Sequence, residues 1–185
     1  MKQFRLTIIF SAFVFALVVL FATNPAAAAS AAEIDRDARK ALGDLYAKFP
    51  AAKALGEKAI GILVFPGIVK GGFIVGGQYG EGALIKDGKS VAFYNSIAAS
   101  YGLQAGLQKF GYALFFMTGS ALKWIDKSDG WEIGVGPSIV VVDVGAAASM
   151  TSTTLQSDIY AFFFDQKGLM AGIGLQGTKI TRLEK

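Results

Sequence analysis

The chain has 185 residues, 53% of them hydrophobic and 17% charged, with 23 glycines against 4 prolines and a formal net charge of +4. It contains no histidine and no cysteine, which excludes a Ser-His-Asp triad, a histidine general base, thiol catalysis and the usual His or Cys zinc sites. This length and composition allow one domain with a full core, held by packing without disulfides.

At the N-terminus, Lys2 and Arg5 precede an apolar run from Leu6 to Ala22, followed by small residues that offer several A-x-A sites. This is the pattern of a secretory signal peptide over residues 1–29, with cleavage expected between 28 and 32. An uncleaved anchor helix is the competing reading, but a run of about 17 residues is at the short limit for a bilayer. Removing Lys2 and Arg5 takes the 18 basic side chains to 16, against 14 acidic ones. A near-balanced chain supplies no obvious basic face for nucleic acid. A Sec-type signal without a cysteine for lipid attachment predicts an exported protein, in a bacterial periplasm, soluble or peripheral on the inner or outer membrane.

The next segment, "EIDRDARKALGDLYAKF", repeats Ile34, Ala38, Ala41, Leu42, Leu45 and Phe49 at spacings of three and four, one apolar stripe of a helix. Its other face sets Glu33, Asp35, Asp37 and Asp44 against Arg36, Arg39, Lys40 and Lys48. Pro50 ends this helix and opens a second short one, "PAAKALGEKA". Residues 30–52 thus form an N-terminal amphipathic region.

From Ile60 the pattern changes to short β-branched or aromatic runs separated by Gly, Pro, Asp and Ser: "IGILVF", "GGFIVGG", "GALIKDGKSVAFY", "YALFFMT", "WEIGVGPSIVVVDVG", "DIYAFFF" and "GLMAGIGL". "KDGK" at 86–89 carries the Asp-Gly pair of a tight antiparallel hairpin, and "FDQKG" reads as a further turn. "TGSALKWIDKSDG" predicts a short internal helix or helical turn. The expected fold is α+β and β-rich: a single domain with a strongly curved, mainly antiparallel sheet or partial barrel, two N-terminal helices and one short internal helix.

Six glycines fall within "GGFIVGGQYGEG" at 71–82. A phosphate loop requires a strand before it and a helix N-terminus after it, and a strand follows here. The G-x-G-x-x-G match from Gly172 to Gly177 leaves too little chain for a nucleotide-binding helix. These glycines are therefore expected to serve strand bending and close strand packing. Asp143, inside "SIVVVDVGAAA", is the one acid in an apolar run, and a strand-end or turn role is favoured over a catalytic carboxylate.

The blocks "KALGEKAIGILVFPGIVKGGFIVGGQYGEGAL", "VAFYNSIAASYGLQAGLQ", "GVGPSIV" and "DIYAFFFDQKGLMAGIGLQGTKI" resemble the SYLF domain family, also described as a lipid-binding or yeast actin-regulator-like domain. The resemblance spans about residues 53 to 180 and assigns 53–185 to a domain of that type. It implies a compact β-rich domain with flanking helices that binds lipid head groups: phosphoinositides in eukaryotic members, with actin bound in some fungal ones. Bacterial members look exported or outer-membrane-associated.

The expectation is a non-enzymatic, lipid-binding module of the cell envelope, with an anionic phospholipid or membrane surface as partner. No cofactor, metal, nucleotide or nucleic acid is expected, and no actin in a bacterium. Arg36, Arg39, Lys40 and Lys48 are the candidate head-group contacts, and Ile34, Leu42, Leu45 and Phe49 the candidate inserting face. The alternative is that this stripe packs on the sheet. Lys70 and Lys167, each followed by glycine, are further lipid-contact candidates, beside exposed backbone N–H groups, with solvated turn lysines as the favoured alternative. Trp124 and Trp131 are candidates for a lipid interface or, equally, for closing one end of the core. The other function classes are a small outer-membrane β-barrel, an envelope protein-interaction module and an acid-only hydrolase.

Overall fold

The structure, a computed structural model, describes residues 29–127, 129–142, 157–168, 175 and 177–185, with the side chains at 73, 74 and 100–105 left aside. Helix α1 (Ala31–Lys48) starts at a capping box: the Ser30 hydroxyl accepts from Glu33 N–H at 3.3 Å, and the Glu33 carboxylate accepts from Ser30 N–H at 2.8 Å. Its apolar stripe Ile34, Ala38, Ala41, Leu42 and Leu45 is buried. Pro50 stands in the first turn of α2 (Pro50–Gly56), where its missing N–H costs nothing.

Strands β1 (Gly61–Lys86) and β2 (Lys89–Phe116) form one long antiparallel hairpin, joined at Asp87 and Gly88, whose φ values of 48° and 70° are those of a type I′ turn. The expected hairpin at "KDGK" is thus present. Strands of 26 and 28 residues, if straight, would each extend about 85 to 95 Å, far beyond the size of such a domain. The hairpin therefore bends back on itself around residues 71–77. The two halves of β1 then approach so closely that a Cβ on Gly82 would lie 2.3 Å from the Val64 carbonyl oxygen, and one on Gly80 2.6 Å from that of Gly67. Only glycine fits there. Pro66 occupies the bulge between Phe65 and Ile68, a place where a strand tolerates its missing donor.

The next elements are α3 (Gly119–Leu122), β3 (Trp131–Glu132), β4 (Ile139–Val142), β5 (Ile159–Gly168) and β6 (Lys179–Leu183). The first half of β2 pairs with β6 and the second half with β5, both antiparallel, while β3 adds to β6 and β4 runs parallel to β5. With the two long strands bent, these six strands curl as eight segments into a half-barrel. The α+β class, the curved sheet and the three helices agree with expectation.

Two details differ from the sequence reading. "FDQKG" is not a turn: it continues β5 through a bulge, with Asp165 at φ 51° absorbing the extra residue. The runs read as separate short strands from Ile60 to Lys86 are one strand, because its glycines bend the chain without breaking the ladder. Residues 1–28, Asp143 and most of 169–176 lie outside the described residues, and with them the signal-peptide reading.

Alternation along the strands splits the core in two. One face buries Leu63, Phe65, Ile68, Tyr94, Phe110, Tyr112, Leu114 and Phe116 with Ile125 and Trp131. The opposite face buries Ile62, Val64, Ala83, Ile85, Ala113, Phe115 and Phe162 beneath α1 and α2. Each fully buried large side chain stabilises by about 1.5 to 3 kcal/mol, so two such layers hold the domain without disulfides.

Candidate functional site

Helix α1 covers only part of its sheet face. Beyond it, towards the bend of the hairpin, that face is open and forms a cleft of about 1130 Å3. Its floor is made of small residues, Gly71, Gly77, Ala98 and Ala99, and its walls of Val69, Tyr79, Ile97 and Leu107. Those four are 48%, 48%, 45% and 67% exposed, an unusual concentration of large apolar groups on one surface. Ile34, Asp37, Lys40, Ala41 and Asp44 of α1 line the other side. The Tyr79 hydroxyl donates to Glu81 at 2.8 Å, and burial, then this bond, push its pKa up to about 12.

Strand register brings lysines to the cleft. Val69 pairs with Lys109, and Lys109 in turn with Lys167, so the three share one row on the cleft face. Both lysines are exposed, and neither takes part in an ion pair among the described residues. Like charges directly opposite each other across a ladder are unfavourable. The Lys109 stem lies across Gly67, where a Cβ would come within 3.1 Å of its Cε. On the other half of the bend, the row Tyr79, Ile97, Lys179 also ends in a lysine.

The acids around the cleft are already engaged. Asp44 pairs with Lys40 at 2.6 Å, Asp165 with Lys48 at 2.6 Å, Asp37 with Arg36 at 2.9 Å and Glu81 with Lys185 at 2.9 Å. The hydrogen bond from Lys40 holds the Asp44 carboxyl below its ordinary value.

These pairs also locate the candidates on α1. Arg36, Arg39, Lys40 and Lys48 each face an acid, Arg39 through Asp35 at 2.7 Å and through the Gly88 carbonyl. The helix surface is therefore a set of local ion pairs, not a basic field. Ile34, Leu42 and Leu45 are buried against the sheet, and Phe49 packs on the same cluster. The inserting-face expectation for these residues gives way to the packing alternative, because the sheet offers this stripe an apolar face of its own.

Lys70 is also buried, 8% exposed, on the face opposite the cleft, paired in register with Gln108. Gln78, also buried, donates to Thr178 at 3.2 Å. Trp131 is buried, lies tilted at 58° against the Phe116 ring with centroids 6.2 Å apart, and donates to the Val135 carbonyl at 2.9 Å. Trp124 is half-buried with the Lys127 ammonium 3.1 Å from its ring centre. Buried Lys70 and Trp131 are therefore not surface contacts in this fold, whereas Lys167 is exposed and pairs in register with Lys109, which lines the cleft.

Sequence reasoning did not single out Lys109, Val69, Tyr79, Ile97 or Leu107. Alternation within "VKGG" and "LQKF" marks which residues share a face, but only strand pairing sets Lys109 beside Lys167. Among the described residues no group of three acidic side chains converges on a metal-sized site, and no helix is long and apolar enough to cross a membrane.

Residues 97–185 match the family model described as Ysc84: Las17-binding protein actin regulator. That stretch carries one wall of the cleft and the three sheet lysines beside it, Lys109, Lys167 and Lys179, while α1 lies outside it. No curated protein matches the chain.

Proposed function

Taking the Ysc84 (SYLF) match over residues 97–185 as premise, we propose that this protein is a non-enzymatic module that attaches peripherally to anionic phospholipid surfaces. One observation carries the reading: the Lys109 and Lys167 pair stands, without an acid partner among the described residues, beside the exposed Val69, Tyr79, Ile97 and Leu107. Cationic side chains near an anionic leaflet contribute about 1 kcal/mol each, and the apolar groups add to this when they leave water. In this reading the contact surface is the cleft end of the hairpin and not α1. The N-terminal signal pattern supports a bacterial periplasmic location, on the inner or outer membrane.

The test is co-sedimentation with vesicles of phosphatidylcholine, phosphatidylglycerol, cardiolipin or phosphoinositide composition, at low and physiological salt. The expected result is salt-sensitive pelleting with the anionic vesicles that is lost in the Lys109→Gln/Lys167→Gln variant and kept in an Arg36→Gln/Arg39→Gln variant. Absence of pelleting under all conditions, or pelleting indifferent to Lys109 and Lys167, sinks the proposal. The first outcome would turn attention to protein partners in the envelope.

A further inference from the structure

We infer that the cleft takes up one acyl chain of a single phospholipid, with its phosphate between Lys109 and Lys167, so that the protein holds a lipid molecule and does not merely touch a bilayer. This rests on the lipid-surface reading above and goes one step further, to the stoichiometry and the occupant of the site.

Three observations point to that occupant. The first is shape. On this face the bent hairpin puts Gly77 and Ala99 in register beneath the walls, so the floor lies lower than the side chains of Val69, Tyr79, Ile97 and Leu107. The resulting space, about 1130 Å3, is on the scale of small-molecule sites.

The second is the lack of hydrogen-bonding groups on that floor. The backbone N–H and C=O groups of β1 and β2 lie in the plane of the sheet and not on its face, and those turned toward each other are spent on the ladder across Gly77 and Ala99. A peptide laid in the cleft would find few partners for its own N–H and C=O groups, whereas a hydrocarbon chain needs none. An acyl chain is thus favoured over a protein segment.

The third is charge. The cluster has a polar end and an apolar length, because Lys109 and Lys167 stand at the Val69 side of the cleft. An anion between them relieves the repulsion of two cross-strand ammonium groups. The acid closest in sequence, Asp165, is held by Lys48 at 2.6 Å and does not neutralise the pair.

Gly77 provides the test. A Cβ added there would meet only the Ala98 carbonyl oxygen, at 3.8 Å, so Gly77→Leu starts from open space at its Cβ and is expected to extend into the cleft. The full chain, freed of residues 1–28 if export does so, is titrated by calorimetry with dodecyl phosphate below its aggregation concentration, and with decyl phosphate and inorganic phosphate. Saturable one-to-one binding of dodecyl phosphate is expected, about tenfold tighter than decyl phosphate given two fewer buried methylenes. Inorganic phosphate alone should bind at least a hundredfold more weakly. Gly77→Leu should lose tenfold or more of the dodecyl phosphate affinity.

If Gly77→Leu melts well below the parent, Leu107→Gln, at a 67% exposed position, removes an apolar wall instead and should also weaken dodecyl phosphate binding. Vesicle binding without saturable uptake of the monomer overturns this inference and leaves the surface reading intact. Monomer uptake without vesicle binding does the reverse. Unchanged dodecyl phosphate affinity in both variants places the chain elsewhere and also overturns it.

Discussion

The Lys185 ammonium lies 2.9 Å from the Glu81 carboxylate, in an ion pair whose side chains are only 14% and 10% exposed, and it also donates to the Ala29 carbonyl. Three remote parts of the chain meet there: the start of α1, the second half of β1 and the segment after β6. Glu81 and Ala29 both line the cleft, so this tie also shapes the wall of the candidate site. Replacing Lys185 by Ala leaves a largely buried carboxylate with only the Tyr79 hydroxyl, and is expected to lower stability by about 1 to 3 kcal/mol in urea unfolding. A loss below a few tenths of a kcal/mol would show that water replaces the ammonium at no cost.

Gly77 and Gly82 sit five residues apart in one strand and make opposite predictions. Gly82→Ala puts a Cβ 2.3 Å from the Val64 carbonyl and 2.7 Å from the Phe65 ring, against backbone that cannot yield. A destabilisation of about 3 kcal/mol or more is expected, the size of severe core overpacking. Gly77→Ala meets no such obstacle and should stay within about 0.5 kcal/mol of the parent, or gain slightly through a stiffer unfolded chain. Equal effects in chemical denaturation would contradict the bent-hairpin packing.

Ser30→Ala removes the acceptor for Glu33 N–H at the start of α1. The expected loss is about 1 kcal/mol, and Ser30→Asp should restore most of it, since aspartate caps equally well. Because the α1 stripe packs on the sheet, the loss should appear in the global unfolding transition and not as separate fraying.

Asp158 joins β5 to two other elements. Its carboxylate accepts from Ser138 N–H at 3.1 Å, from the Ser138 hydroxyl at 3.0 Å and from the Thr118 hydroxyl, which caps α3, at 3.1 Å. The Ser138 bonds first, then that of Thr118, hold its pKa below the ordinary 3.8. A carboxyl with a lowered folded-state pKa stabilises fully above its unfolded value, and that contribution disappears as pH falls below 3.8 through the folded value. Asp158→Asn should therefore lower Tm near neutrality and flatten the acid limb of Tm against pH below about 4. An unchanged acid limb would mean that other carboxylates dominate it.

Legibility in the sequence varied with the distance over which each feature is decided. The α1 stripe, the Pro50 break and the Asp87-Gly88 turn were readable because each depends on residues a few places apart. The glycines of 71–82 were rightly assigned to bending and close packing, since they lead into a strand and not a helix N-terminus. The continuation of β5 through "FDQKG" was missed because a left-handed Asp165 looks the same in a turn and in a bulge. The candidate site was only partly legible: Lys167 was named, while Lys109 and the four wall residues were not.

By itself the sequence determined what chemistry is unavailable without histidine or cysteine, that a helical pair precedes a β-rich domain, and that the sheet curves. Those properties follow from side-chain type and local periodicity. Only the tertiary structure decided that the α1 stripe faces the sheet, that its basic residues are tied to acids, and that Lys109 stands opposite Lys167 beside an open apolar cleft. These depend on which strands pair and in what register, a choice made by burying two faces of one sheet at once and not by any stretch of chain alone.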